Sequence, residues 1–223
     1  MPKLGMEPIR RAQIRKAAVK LISKRGFEGT TLWDVAIAAR ISTGTISHYY
    51  NSKLEMLIDA LTYASETLQG VMRAGVEAES SPAGKLRALI HAGIFDDAKD
   101  VLMCNAVWLW ALAEALRFKE VRLVIEERRR LFQALLADVM GGLEVGSMSE
   151  TTLKEFCAEC DAYFCGLRYH RLTGEMHTDE EGVQESFLSM ARSRCAADRS
   201  EERPARRRSS TAARGADVAA GSD

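Results

Sequence analysis

Three helix-start signals crowd into residues 31–52, and that crowding restricts the fold more than any other feature of the chain. Thr31-Leu32-Trp33-Asp34 is a variant capping box, Ser42 stands ahead of Thr43-Gly44-Thr45, and Ser52-Lys53-Leu54-Glu55 is a full capping box. A helix begun at one signal must end before the next, which limits the second and third helices to about two turns each. Helices that short do not persist alone in water, so they must pack against longer neighbours. The first neighbour is read from Pro8 to Arg25, where Ile14, Ala18, Leu21 and Ile22 recur at helical spacing and Gly26 follows as a C-cap. The second runs from the Ser52 box to about Ala78. Two short helices joined by a tight turn and braced on both sides form a helix-turn-helix unit, placed at residues 1–54.

The body, residues 55–197, has another style. "SSPAG", 80–84, is a loop that offers Pro82 to the first turn of the next helix. Helices are expected over 83–98, 100–117, 119–140 and 152–172, the last stopped by Gly174. A further helix, opened by Thr178-Asp179-Glu180-Glu181, extends to about Ala197, and "MGGLEVGSMS", 140–149, is a loop. No strand alternation and no repeat is visible, so the fold class is all-α. The tail, 198–223, has almost no large apolar side chains and reads as disordered. No run approaches the ~18 apolar residues of a membrane span. The opening "MPKLGMEPIRR" lacks the apolar stretch of a secretory signal. Five Cys without framework spacing suit a reducing cytoplasm.

Formal charge is zero overall but unevenly spread. Residues 1–53 carry ten Lys/Arg against three Asp/Glu, while 54–191 carry thirteen against twenty-three. A basic block on an acidic body points to a polyanion partner for the block. In a helix-turn-helix the second short helix enters the major groove, and its early residues meet base edges. Thr43, Thr45 and Ser47 are short and polar enough for that, and Gly44 allows close approach. Ile46 and Tyr50, four apart, should face inward, leaving His48 and Tyr49 on the rim to donate to phosphates. Lys53 adds a cation beside the free amides of the fourth helix. Arg10, Arg11, Thr31, Arg40 and Ser42 complete the candidate DNA-binding set. The same hydroxyls could serve as caps alone in a helical scaffold, which would leave the basic block unexplained.

Residues 26–57, "GFEGTTLWDVAIAARISTGTISHYYNSKLEML", resemble the DNA-binding domain of the tetracycline-repressor (TetR) family. The likeness lies in Gly26-Phe27 after the first helix, Thr30-Thr31 opening the second, and the run Ser42-x-Gly44-Thr45 to Tyr49-Tyr50 and Lys53. It implies a homodimer on a palindromic double-stranded operator, mostly repression, and release by a small molecule entering the C-terminal helical domain. The family usually has Gly where this chain has Arg40; a left-handed backbone there would cost a side chain roughly 1–2 kcal/mol. "MPKLGMEPIRRAQI", "STGTISHYYNSK" and "GIFDDA" resemble, more narrowly, the choline-responsive repressors of glycine-betaine synthesis genes within that family. That implies choline or a related quaternary ammonium effector. The paired aromatics expected near 106–110 appear instead as Ala106, Trp108 and Trp110, and extra residues fall around 161–174. A different, hydrophobic effector therefore stands beside choline.

For a quaternary ammonium, Trp108, Trp110 and Tyr163, with Phe164 and Tyr169, could form an aromatic cage. Asp97 and Glu114, with Asp96, could supply counter-charge. Trp108 and Trp110 diverge by about 160° on one helix, so at most one faces a given pocket. The resemblance makes 121–140 and 152–172 the dimer-forming pair. Cys157 and Cys160, three apart, could pinch a metal with Cys165, His170 or His177, but a lone CxxC on a buried helix reads as core. No metal and no cofactor is expected. Nor is an enzyme: the chain has neither a phosphate-binding Gly loop nor a Gly-x-Ser-x-Gly elbow.

Overall fold

The computed structural model describes residues 7–143 and 148–216, with side chains described to residue 198. Expectations that fall on 1–6, 144–147 and 217–223, or on side chains after 198, lie outside the described residues. Within them the elements are α1 (Glu7–Arg25), α2 (Leu32–Ala38), α3 (Thr43–Tyr49), α4 (Lys53–Ala78), α5 (Pro82–Ile90), α6 (Lys99–Glu114), α7 (Lys119–Gly141), α8 (Glu150–Thr173) and α9 (Glu180–Ala216). No strand occurs among the described residues.

Local chemistry sets the helix starts. Thr31 and Asp34 close a reciprocal capping box on α2: Asp34 N–H donates to Thr31 Oγ1 at 3.1 Å, and Thr31 N–H to Asp34 Oδ2 at 3.1 Å. Ser42 accepts from Thr45 N–H at 3.0 Å at the head of α3. At α4 the box is shifted. Ser52 accepts from Glu55 N–H at 3.1 Å, but the Glu55 carboxylate reaches past the cap and accepts from Asn51 N–H at 2.8 Å. Gly26 ends α1 at φ 72 and Gly174 ends α8 at φ 78, both in the left-handed region that glycine tolerates.

One apolar core runs from the helix-turn-helix unit into the body. Ile14, Ala18 and Ile22 of α1, Val35 of α2, Ile46 of α3 and the following Tyr50 are buried together with Met56, Leu57 and Leu61 of α4. The rest of α4 continues through Leu68, Met72 and Val76 into the body, where it packs on α5, α6 and α7. A single 26-residue helix thus belongs to both halves.

The expected helix over 83–98 divides. α5 gives way to a π-helical turn, His91–Phe95. Arg168 Nε of α8 donates to the Gly93 carbonyl at 2.7 Å, and the Phe164 ring lies only 2.6 Å from where a Gly93 Cβ would be. A π-turn loosens the carbonyl ladder, and here a distant arginine takes the carbonyl. α9 continues to Ala216, beyond the expected end near Ala197. The expected dimer pair, 121–140 and 152–172, falls on α7 and α8, which pack against each other, and α8 also packs on α9, the last helix of the body.

Candidate nucleic-acid interface and effector site

α3 divides cleanly. Ile46 points into the core, while Thr43, Gly44, Ser47 and His48 are exposed and Thr45 and Tyr49 are half-buried. Ser42 Oγ and Thr45 Oγ1 lie 2.8 Å apart, and Ser47 Oγ donates to the Thr43 carbonyl at 3.0 Å. Each of these exposed hydroxyls meets only local partners that water or a base edge can replace. The His48 and Tyr49 rings meet edge to face at 5.6 Å on the rim. Arg40, just before α3, is exposed and has φ 55, the left-handed backbone that the departure from Gly implied.

Other candidates are already engaged. Arg11 lies 3.7 Å from Asp59 and stacks over the Tyr50 ring at 5.5 Å, a place in the fold rather than a free surface cation. Arg10 reaches Gln13 at 3.2 Å. Lys53 Nζ donates to the Glu28 carbonyl at 3.0 Å and lies 3.8 Å from its carboxylate. Thr31 is used as the cap of α2.

Sequence reasoning did not find Asp59, which ties the unit together. Arg15 holds its carboxylate with contacts of 2.5 and 2.9 Å, and Tyr50 Oη donates to it at 2.6 Å. Burial pushes the Asp59 carboxyl up, but the hydrogen bonds from Arg15 and Tyr50 and the nearby positive charge outweigh it and hold it below its ordinary value. Burial first, then the bond to Asp59, pushes the Tyr50 phenol up. No sequence signal links residues 44 positions apart such as Arg15 and Asp59.

The α1–α2 turn, 26–30, meets the body directly. The Trp110 ring lies 3.2 Å from where a Gly26 Cβ would stand. Glu28 accepts from Arg117 Nη1 at 2.7 Å while Lys53 approaches from α4. The Arg117 hydrogen bond, then the charge of Lys53, lower the Glu28 carboxyl below its ordinary value. Thr30 is buried and donates to the Gly26 carbonyl at 2.9 Å.

The proposed aromatic cage does not assemble among the described residues. Trp108 is buried in the body at 2% exposure, whereas Trp110 is 47% exposed against Gly26. Their divergence on one helix has this consequence. Glu114 pairs with Arg117 at 3.5 Å near the same turn, and Asp97 pairs with Arg171 at 2.6 Å on the surface. Tyr163 packs on Phe187 at 5.5 Å. The cysteines are core side chains: Cys157 and Cys160 are buried, and burial pushes Cys157 up to about 11 and Cys160 further. Such thiols are poorly disposed to ionise and bind metal. His170 pairs with Glu175 at 3.7 Å and His177 is exposed.

The body does offer a cleft of about 350 Å³ between α4 and α7, lined by Ser65, Gln69, Leu123, Val124, Arg128 and Leu131 among others. A smaller one, about 170 Å³, lies between α1, α4 and α6 at Lys20, Tyr63 and Met103.

An exposed polar face on a short second helix, braced by capped neighbours and joined by one long helix to a helical body with a cleft, defines a helix-turn-helix DNA-binding regulator. The comparisons specify which. Residues 14–60 match the model of the bacterial regulatory proteins of the tetR family. The chain is 38% identical over 140 residues to the HTH-type transcriptional regulator BetI of Paraburkholderia xenovorans (strain LB400), covering 62% of this chain and 71% of that protein. It is 34% identical over 152 residues to BetI of Burkholderia cenocepacia (strain HI2424), covering 67% and 78%. Among solved structures, a candidate transcriptional regulator from Pseudomonas aeruginosa PAO1 shares the fold at TM-score 0.72 and 18% identity, over 87% of this chain and 95% of that one. Another, from Saccharomonospora viridis in complex with choline, does so at TM-score 0.69 and 20% identity, over 82% and 95%. The chain belongs to the tetR family of bacterial regulatory proteins. Its relatives are transcriptional regulators, not enzymes.

Proposed function

We propose that the chain is a cytoplasmic repressor that holds a near-palindromic duplex as a homodimer and releases it when a small molecule enters the body. The hydroxyl face of α3, with Thr43 and Ser47 exposed and Thr45 half-buried between them, carries this reading. His48, Tyr49 and Arg40 flank that face and would meet the phosphate backbone. A two-fold axis between two copies would set two α3 helices one DNA turn apart, ~34–36 Å.

Release follows from the junction. The α1–α2 turn is gripped by Trp110 and Arg117 from the body and by Lys53 of α4. An effector that binds better to a state with α4 or α6 displaced must carry that turn along. By linkage it then weakens DNA binding by the same coupling free energy. The relatives' resemblance makes choline the first effector to test, and one structure of this fold holds choline. Against it stands the scattering of Trp108, Trp110, Asp97 and Glu114.

The test is to incubate the purified protein with genomic fragments, recover and sequence what it retains, and repeat with choline and betaine aldehyde. An enriched inverted repeat supports the regulator reading. Its release by choline would make choline the effector, and its retention would remove choline while keeping the regulator. A folded protein that enriches no inverted repeat would overturn the reading.

A further inference from the structure

The α4–α7 cleft is lined by an unsatisfied cation. Arg128 lines the cleft, is 4% exposed, and neither Nη1 nor Nη2 has a hydrogen-bond partner. Ser65, which lines the same cleft from α4, is 7% exposed and its hydroxyl is likewise unpartnered. Buried polar groups are nearly always paired, and a guanidinium presents a fork suited to a carboxylate. We propose that this cleft takes an amphiphilic carboxylate, its anionic end bound by Arg128 and Ser65 and its apolar part lying along Leu123, Val124 and Leu131. The proposal rests on the regulator reading and names the chemistry of its effector.

The surrounding charges favour an anion at that depth. Arg168, also buried, is a like charge close enough to depress Arg128 further. Its Nε is spent on the Gly93 carbonyl, and its guanidinium lies over the Phe164 ring at 5.6 Å. Asp161 is the nearby buried carboxylate, and Arg129 holds it at 2.6 Å. Burial and Arg168 bring Arg128 down to about 9, so it is still cationic at neutral pH. Two carboxylates also line the cleft, Glu66 and Glu127, but both are exposed at its rim, and Glu127 is bound to Arg130 at 2.8 Å. A quaternary ammonium would instead meet the like charge of an unpaired guanidinium in the lining of this cleft. A volume of about 350 Å³ suits a small ligand.

Matched probes separate the possibilities: octanoate, octanol and octyltrimethylammonium, titrated calorimetrically into the full-length protein without DNA. Octanoate should bind at least tenfold more tightly than either of the others. Arg128→Met, an apolar replacement of similar length, should erase that preference, and Ser65→Ala should weaken octanoate several-fold. The thermal midpoint of unliganded Arg128→Met should equal or exceed wild type, since an unpaired buried charge is removed. If Arg128→Met does not fold, Ser65→Ala and the probe order decide. Equal binding of octanol, tighter binding of the cation, or an octanoate preference that survives Arg128→Met would overturn the proposal. Because DNA is absent, a protein that prefers octanoate yet enriches no inverted repeat would overturn the regulator reading and leave the anion site standing.

Discussion

At the scale of residues, Arg40 and Asp59 show how stability and function divide. Arg40 holds a left-handed backbone, φ 55, that a glycine would adopt without strain. Arg40→Gly should therefore raise stability by about 1 kcal/mol in a denaturant melt. It should also bind the operator less tightly if the exposed guanidinium meets a phosphate; unchanged affinity would remove that role. Asp59 works the other way. It gathers Arg15 of α1 and the Tyr50 hydroxyl onto α4, so Asp59→Asn should destabilise by about 2 kcal/mol. Because its folded pKa lies below the unfolded one, the stability it adds is complete above the ordinary carboxylate pKa. That stability is lost as pH falls through the lowered value. An acid titration of thermal stability should thus be flatter for Asp59→Asn than for wild type, and parallel curves would contradict this.

Among elements, α3 is short enough to be sensitive to a single change. It has seven residues and one side-chain cap, Ser42. Ser42→Ala should cost about 1 kcal/mol. Ser42→Asp should restore the cap while placing a negative charge beside DNA, so it should recover the melting temperature but not the affinity. Recovery of both would show that Ser42 acts only as a cap.

Caps are legible in sequence because Thr31, Ser42, Ser52, Pro82 and Gly174 act on atoms within a few residues. The inward turn of Ile46 and Tyr50 is legible for the same reason, from helical spacing. The π-turn at His91–Phe95 is not, since the bond that its Gly93 carbonyl accepts comes from Arg168, 75 residues away. The α4–α7 cleft is hidden likewise. Ser65 and Arg128 belong to different helices, and only tertiary packing brings their unpaired groups to one place.

Across the whole molecule, α1 packs broadly on α4 and α6, and the α1–α2 turn adds a smaller contact with the body. Trp110 on Gly26 and Arg117 on Glu28 are polar or half-exposed contacts, flanked by the continuous core of α4. The ion pair at that turn is the part of the junction that can change without disturbing the core. Arg117→Ala should leave thermal stability nearly unchanged, because exposed ion pairs contribute little. It should still change the effector concentration needed for DNA release by several-fold, in line with coupling effects of about 0.5–2 kcal/mol. Fluorescence anisotropy of a labelled operator would measure this, and an unchanged release curve would place the coupling elsewhere.

The central claim is that the outer face of α3 reads bases. Its most direct test is the affinity of wild type and Ser47→Ala for the retained operator and for a set of duplexes with single base changes in one half-site. If Ser47 meets a base edge, the variant loses discrimination at one or two positions and keeps it elsewhere. A uniform loss across every duplex would mean that α3 does not read the sequence through Ser47, and would contradict the account.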